Sequence, residues 1–301
     1  MNLRRGIAYV FVSAAITIVS AGCNLVDKIK DGTAATPTAP TAPGPTSPIR
    51  YTALGASDAV GVGASVVCIP LTQCDNGTGY VPQLAQRLRT SREVRLTNIG
   101  IPAAVLSPTI QQLAQAAGRD VPANIIDREM PFIAADTTLI TILAGPNDVN
   151  ALGDAIQRGA AGTTDPKTYI ETQVRAWGTD YDRLIRGAKS RAPDAFIIVM
   201  NVPNMAGLPY ATNYTTLQKQ GLQAISVGFT REVNRQAGSG VVVLDLLCDA
   251  QTYDRGRYSS DGFHPNDAGY AYMADRLLAI ANGSTPGVPS SCAQMTLVPP
   301  L

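Results

Sequence analysis

Five short strand-like runs, at 49–56, 93–98, 137–144, 195–200 and 241–247, recur along the chain with helix-like stretches between them. This alternation constrains the fold more than any other feature. The run at 137–144 is β-branched and apolar throughout, as a strand covered on both faces must be. Between the runs, apolar residues return every three or four positions. Val81, Leu84, Ala85 and Leu88 share one helical face, and Ile170, Val174, Trp177, Tyr181, Leu184 and Ile185 share another. The pattern predicts helices over 80–88, 108–117, 123–135, 166–190, 215–235 and 267–281, with Trp177 a core residue. Strands alternating with helices join by right-handed crossovers, which place helices on both sheet faces. The expected fold is therefore α/β: a three-layer α/β/α sandwich around a five-stranded parallel sheet.

In such sheets function collects at the carboxyl ends of the strands. Three polar blocks leave strands there: Gly55-Ala56-Ser57-Asp58, Asn98-Ile99-Gly100 and Gly145-Pro146-Asn147-Asp148. A fourth, Asp261-Gly262-Phe263-His264, follows the fifth strand and holds the only histidine of the chain. Imidazole titrates nearest neutrality, so His264 is the group able to take and return a proton at physiological pH. Asp261, three residues earlier, can bond one ring nitrogen and fix the tautomer. A serine hydroxyl needs such a base before it can attack, which makes Ser57 the candidate nucleophile. The Ser57 and Gly100 backbone N–H groups and the Asn147 side-chain amide are candidate donors to a developing oxyanion. Glycine at 100 would let the backbone approach a substrate closely. Taken singly, each block is equally an ordinary turn.

Together, in this order, the blocks resemble those of the SGNH (GDSL-type) hydrolase family over residues 50–282. The third and fourth blocks match fully. The first departs from the pattern, with Ala56 where the name-giving aspartate stands and Asp58 where leucine is usual. The resemblance implies a flavodoxin-like sheet and ester hydrolysis through an acyl-serine intermediate, with no metal or other cofactor. Other classes fail on particular residues. No second glycine completes G-x-S-x-G around Ser57, histidine follows serine rather than preceding it as in subtilisins, and Gly61-Val62-Gly63 lacks the Lys-Ser/Thr of a phosphate loop. With 24 Lys+Arg against 23 Asp+Glu and no basic run beyond Arg4-Arg5, nothing marks a nucleic-acid footprint.

The chain opens with Arg4-Arg5, an apolar run from Ile7 to Val19, and Ser20-Ala21-Gly22-Cys23. The run is shorter than the ~20 residues of a membrane-spanning helix, so 1–22 reads as an export signal. Small residues ending in cysteine resemble a bacterial lipoprotein box, implying acylation of Cys23 and attachment to a membrane surface. A plain secretory signal is the alternative. Residues 23–48, rich in Thr, Ala and Pro, read as a semi-rigid tether, 49–284 as the hydrolase domain and 285–301 as a C-terminal tail. Export places Cys68, Cys74, Cys248 and Cys292 in an oxidising compartment, where two disulfides are expected. Three pairings exist; proximity favours Cys68 with Cys74, leaving Cys248 with Cys292. One histidine and no C-x-x-C leave zinc without ligands.

The reading is an exported, lipid-anchored serine esterase or lipase acting on a small-molecule or lipid ester. The apolar stretch 202–210, with Met130-Pro131-Phe132, is the expected acyl wall. Alternatives are an O-acetylesterase of polysaccharides, disfavoured by an aromatic content of only 6%, and a non-catalytic binding lipoprotein. The oligomeric state has no signature in the sequence.

Overall fold

A computed structural model describes residues 39–72 and 74–301. Export signal, Cys23 and the first part of the expected tether lie outside the described residues. Five parallel strands, β1 (Ile49–Gly55), β2 (Val94–Asn98), β3 (Leu139–Leu143), β4 (Phe196–Met200) and β5 (Val241–Leu244), form one sheet in the order β2-β1-β3-β4-β5. Strand order reverses beside β1, so the exits of β1, β2 and β3 converge on one stretch of rim.

β1, β3, β4 and β5 feed both layers by alternation, while the edge strand β2 feeds one. Ile49, Tyr51, Ala53, Phe196, Ile198 and Met200 pack with α2 (Tyr80–Arg89) and α8 (Asp267–Ala281). Leu54, Ile140, Ile142, Ile197 and Val199 face the opposite layer. That layer holds α3 (Pro108–Ala116), α4 (Ile125–Arg128), α5 (Pro146–Gln157), α6 (Pro166–Arg191) and α7 (Thr216–Asn234). A four-residue helix, α1 (Ser57–Val60), leads from β1. Trp177 is core as expected, stacked 4.1 Å from the Phe229 ring, but its indole N–H also donates to Asp148 Oδ1 at 2.9 Å.

The elements differ from expectation in four places, each with a local cause. The helix expected over 123–135 stops at Arg128 and resumes as a 3₁₀ turn, Met130–Phe132. Pro131 has no N–H to donate and disfavours a helical residue before it. Gly145-Pro146, read as a turn, instead starts α5, with Pro146 in the first turn where a missing N–H costs nothing. β5 ends at Leu244 rather than 247, because the Asn201 side chain takes the Leu246 and Leu247 N–H groups at 2.6 and 3.0 Å. The described end of the tether lies on the domain: the Gly44 carbonyl accepts from Arg92 Nη1 at 2.9 Å, and Pro40 sits against Gly240. Arg92 is nearly buried and needs acceptors; Gly44 and Asn282 supply them.

Cys68 is bonded to Cys74 and Cys248 to Cys292. The second bond ties the tail to the segment after β5, and Gln223 on α7 holds Val298 by two hydrogen bonds, at 2.7 and 3.0 Å. Among the described residues, no helix is long and apolar enough to cross a membrane.

Candidate active site

Ser57 is the first residue of α1, at the tip of β1. Its backbone N–H belongs to a helix's opening turn, where N–H groups have no intrahelical acceptor. The turn that delivers it needs Gly55, whose φ is 149° and where a Cβ would meet the Leu143 carbonyl oxygen at 2.8 Å. His264 arrives from the far side of the sheet, on the segment between β5 and α8. Its Nε2 lies 2.8 Å from Ser57 Oγ and its Nδ1 2.6 Å from Asp261 Oδ2. Residues 207 positions apart in the chain thus share one line of hydrogen bonds.

Asp261 is fixed as well as paired. Its Oδ1 accepts the Phe263 N–H at 2.8 Å, the His264 N–H at 2.9 Å and the Ser259 hydroxyl at 2.8 Å. Burial alone would raise this carboxyl; the His264 ring and these donors outweigh it and hold the group down at about 2. An ionised Asp261 against Nδ1 keeps that proton on Nδ1 and leaves Nε2 as the acceptor facing the serine.

Asn147, in the first turn of α5, lines an open cleft of about 540 Å³ with Ser57, His264, Phe263 and Tyr210. Its Nδ2 donates to the Ala104 carbonyl at 3.0 Å, which orients the amide and leaves its second N–H. Gly100 differs from expectation. Its N–H donates to the Asn98 side-chain oxygen at 3.1 Å, so an incoming oxyanion must share or displace that bond. A Cβ at Gly100 would meet Ala59 Cβ at 2.6 Å, so glycine is required here by packing against α1 rather than by approach to a substrate.

Two blocks carry buried acids. Asp58 lies in the core side of α1, where its Oδ1 is 3.3 Å from the Tyr270 hydroxyl; that hydroxyl donates to the Val62 carbonyl at 2.6 Å. Burial raises the Asp58 pKa, with the charge of His264 acting in the opposite direction. Asp148 accepts the Leu106 N–H and the Trp177 indole N–H on Oδ1, each at 2.9 Å, while its buried Oδ2 has no partner among the described residues. Burial pushes it up to about 6 against those two bonds.

Sequence reasoning missed Glu129. Wholly buried, its carboxyl accepts the Gly55 N–H at 2.8 Å and the Ile101 N–H at 3.3 Å, beside the first and second blocks. No spacing rule finds a side chain whose partners are backbone groups 74 and 28 residues away.

The acyl wall expected from 202–210 and 130–132 is half corrected. Met130 packs instead on Gly187 of α6, and Phe132 is exposed. Pro203, Met205 and Leu208 do line a small apolar cavity of about 60 Å³ under the 258–265 segment. Asp58 and Phe263 lie in its wall, and Phe263 also borders the open cleft.

The lipase Lip_vut3 from a goat rumen metagenome is 17% identical with a TM-score of 0.54, covering 79% of this chain and 100% of that one. A Parabacteroides merdae protein described as a GDSL-like lipase is 17% identical with a TM-score of 0.50, covering 81% and 99%. A family two carbohydrate esterase from Clostridium thermocellum is 18% identical with a TM-score of 0.45, covering 77% and 62%. At these identities the first two show a shared fold. No curated protein matches the chain. The model of the GDSL-like lipase/acylhydrolase family matches residues 53–272, from the exit of β1 into α8. That span takes in all four polar blocks and well over half of the chain, and the chain accordingly belongs to the GDSL-like lipase/acylhydrolase family.

Proposed function

We propose that the protein is an exported, lipid-anchored serine esterase that hydrolyses carboxylic esters through an acyl-Ser57 intermediate. The observation that carries the reading is the line Ser57 Oγ, His264 Nε2, His264 Nδ1, Asp261 Oδ2, with separations of 2.8 and 2.6 Å across its two bonds.

In the first half-reaction His264 Nε2 takes the Ser57 proton as Oγ bonds to the ester carbonyl carbon. The carbonyl oxygen becomes an oxyanion facing the Ser57 N–H and the Asn147 amide, with Gly100 N–H joining as its bond to Asn98 gives way. Each such donor lowers the barrier by roughly 3 kcal/mol. His264 then protonates the leaving alkoxide, and the alcohol departs. Water enters, loses a proton to His264 and attacks the acyl carbon; as that intermediate collapses, His264 gives the proton to Ser57 Oγ and the acid is released. No step needs a metal or other cofactor.

The apolar cavity beside Phe263 has room for a few carbons of an acyl chain, and the aromatic content of only 6% leaves few platforms for a sugar; both support a short-chain acyl ester over an acetylated glycan. Export and anchoring rest on the leader and Cys23, and the two disulfides fit an oxidising compartment. Steady-state hydrolysis of p-nitrophenyl esters tests the chemistry. The parent protein turns them over and Ser57→Ala does not; a Ser57→Ala protein as fast as its parent refutes it. A Cys23→Ser chain, expressed with its leader, leaves the membrane fraction; retention there refutes the anchor.

A further inference from the structure

The exits of β1 and β2 carry two of the three oxyanion donors, and one side chain joins them. Gly55 precedes Ser57 by two residues, and Ile101 follows Gly100. Glu129, in the segment between α4 and the Met130–Phe132 turn, receives the Gly55 N–H on Oε2 at 2.8 Å and the Ile101 N–H on Oε1 at 3.3 Å. The last ladder bonds between the two strands lie at this level: Ile99 N–H donates to the Ala53 carbonyl at 3.0 Å, and the Ile101 N–H, shared with Glu129, to the Gly55 carbonyl at 3.1 Å. Beyond it the chain bends at Gly55 to present Ser57, and the Gly55 N–H turns onto Glu129 rather than onto another strand.

We propose that Glu129 is a positioning residue for the oxyanion hole, its buried carboxyl fixing the Ser57 backbone N–H relative to the β2 exit that carries Gly100. This rests on the acyl-serine reading above. A carboxyl suits the task because it offers two acceptor oxygens side by side, where an amide offers one and presents N–H to the other donor. Among the described residues Glu129 has no ion-pair partner and 0% exposure. Burial raises its pKa well above the usual carboxylate range, against the two N–H bonds.

Glu129→Gln in the full chain tests the role. Rates on a p-nitrophenyl ester and on the corresponding thionoester are measured per site titrated with a fluorophosphonate. A thiono sulfur accepts hydrogen bonds weakly, so a displaced hole slows the oxygen ester more than the thionoester. The expected result is a kcat on the oxygen ester lower by about tenfold to a hundredfold, with KM within about twofold. The oxygen-ester to thionoester rate ratio falls about tenfold with it. Both rates come from the same molecules, so loss of folded protein cancels from the ratio. Glu129→Asp, one methylene too short to reach both N–H groups, gives the same fall and serves if the glutamine variant does not fold. An unmoved ratio in either variant overturns the role of Glu129. A parent protein without esterase activity, or an active Ser57→Ala, overturns the acyl-serine reading instead.

Discussion

Asp148→Asn isolates the energetic consequence of burying an acid beside Asn147. Asp148 is 1% exposed, its Oδ1 holds the Leu106 and Trp177 N–H groups, and its Oδ2 has no partner among the described residues. Burial raises its pKa from 3.8 to about 6. A shift of about two units corresponds to roughly 3 kcal/mol between the protonation states. The folded pKa is the higher one. The group's contribution is therefore fully present below about pH 4 and is lost as pH rises through about 6. Asparagine keeps the Oδ1 acceptor and does not titrate; its amide nitrogen lands where Oδ2 is already unpartnered, a constant cost of about 1–3 kcal/mol. The informative quantity is the difference between the two proteins as a function of pH, because Asp58, Glu129 and Asp261 titrate in both. Urea unfolding at intervals from pH 4 to pH 8 should show the variant gaining about 3 kcal/mol relative to the parent across that range. A difference curve flat to within about 0.5 kcal/mol, or one of opposite slope, refutes the assignment of a raised pKa to Asp148.

Asp261→Asn presents an amide to His264 Nδ1, favours the tautomer that cannot accept the serine proton, and should lower kcat about 10²–10³-fold. The exposed edge of Asp261 keeps the loss below the ~10⁴ of a fully enclosed triad, and an activity within threefold of the parent contradicts its role. Cys248→Ser with Cys292→Ser opens a loop of sequence separation 44. Chain entropy sets the cost at about 4 kcal/mol, read as a drop in unfolding free energy, and a change below about 1 kcal/mol would mean the bond restrains little. Met205→Trp fills the apolar cavity. It should lower the butyrate to acetate ratio of kcat/KM by about tenfold, whereas an unchanged ratio removes the cavity from substrate binding.

The layers were legible because β3 and β4 are apolar runs covered on both sides, and the alternation of Ile49, Tyr51 and Ala53 against Leu54 settles which face each residue serves. Helix ends were less so. Pro131 and Pro146 are the same residue type with opposite effects, one breaking a helix and one opening it, and the choice depends on the Gly145 backbone that tertiary packing imposes. The four chemical blocks were readable as residue types at strand exits. Their fine structure was not: Gly100 is small because Ala59 lies over it, and its N–H is held by Asn98. Glu129 sits in a stretch with helical periodicity and no motif, and its partners are backbone groups that only the folded sheet exit brings together. Asp58, unusual for the family, is tolerated because Tyr270 and the Val62 carbonyl give that part of the core a polar lining.

Labelling with a fluorophosphonate followed by mapping of the modified peptide tests the central claim most directly. The account predicts one phosphonyl group per chain, on Ser57, formed at a rate that Asp261→Asn lowers in step with its esterase activity. Modification at another serine, or none at all in a protein that hydrolyses esters, would contradict it.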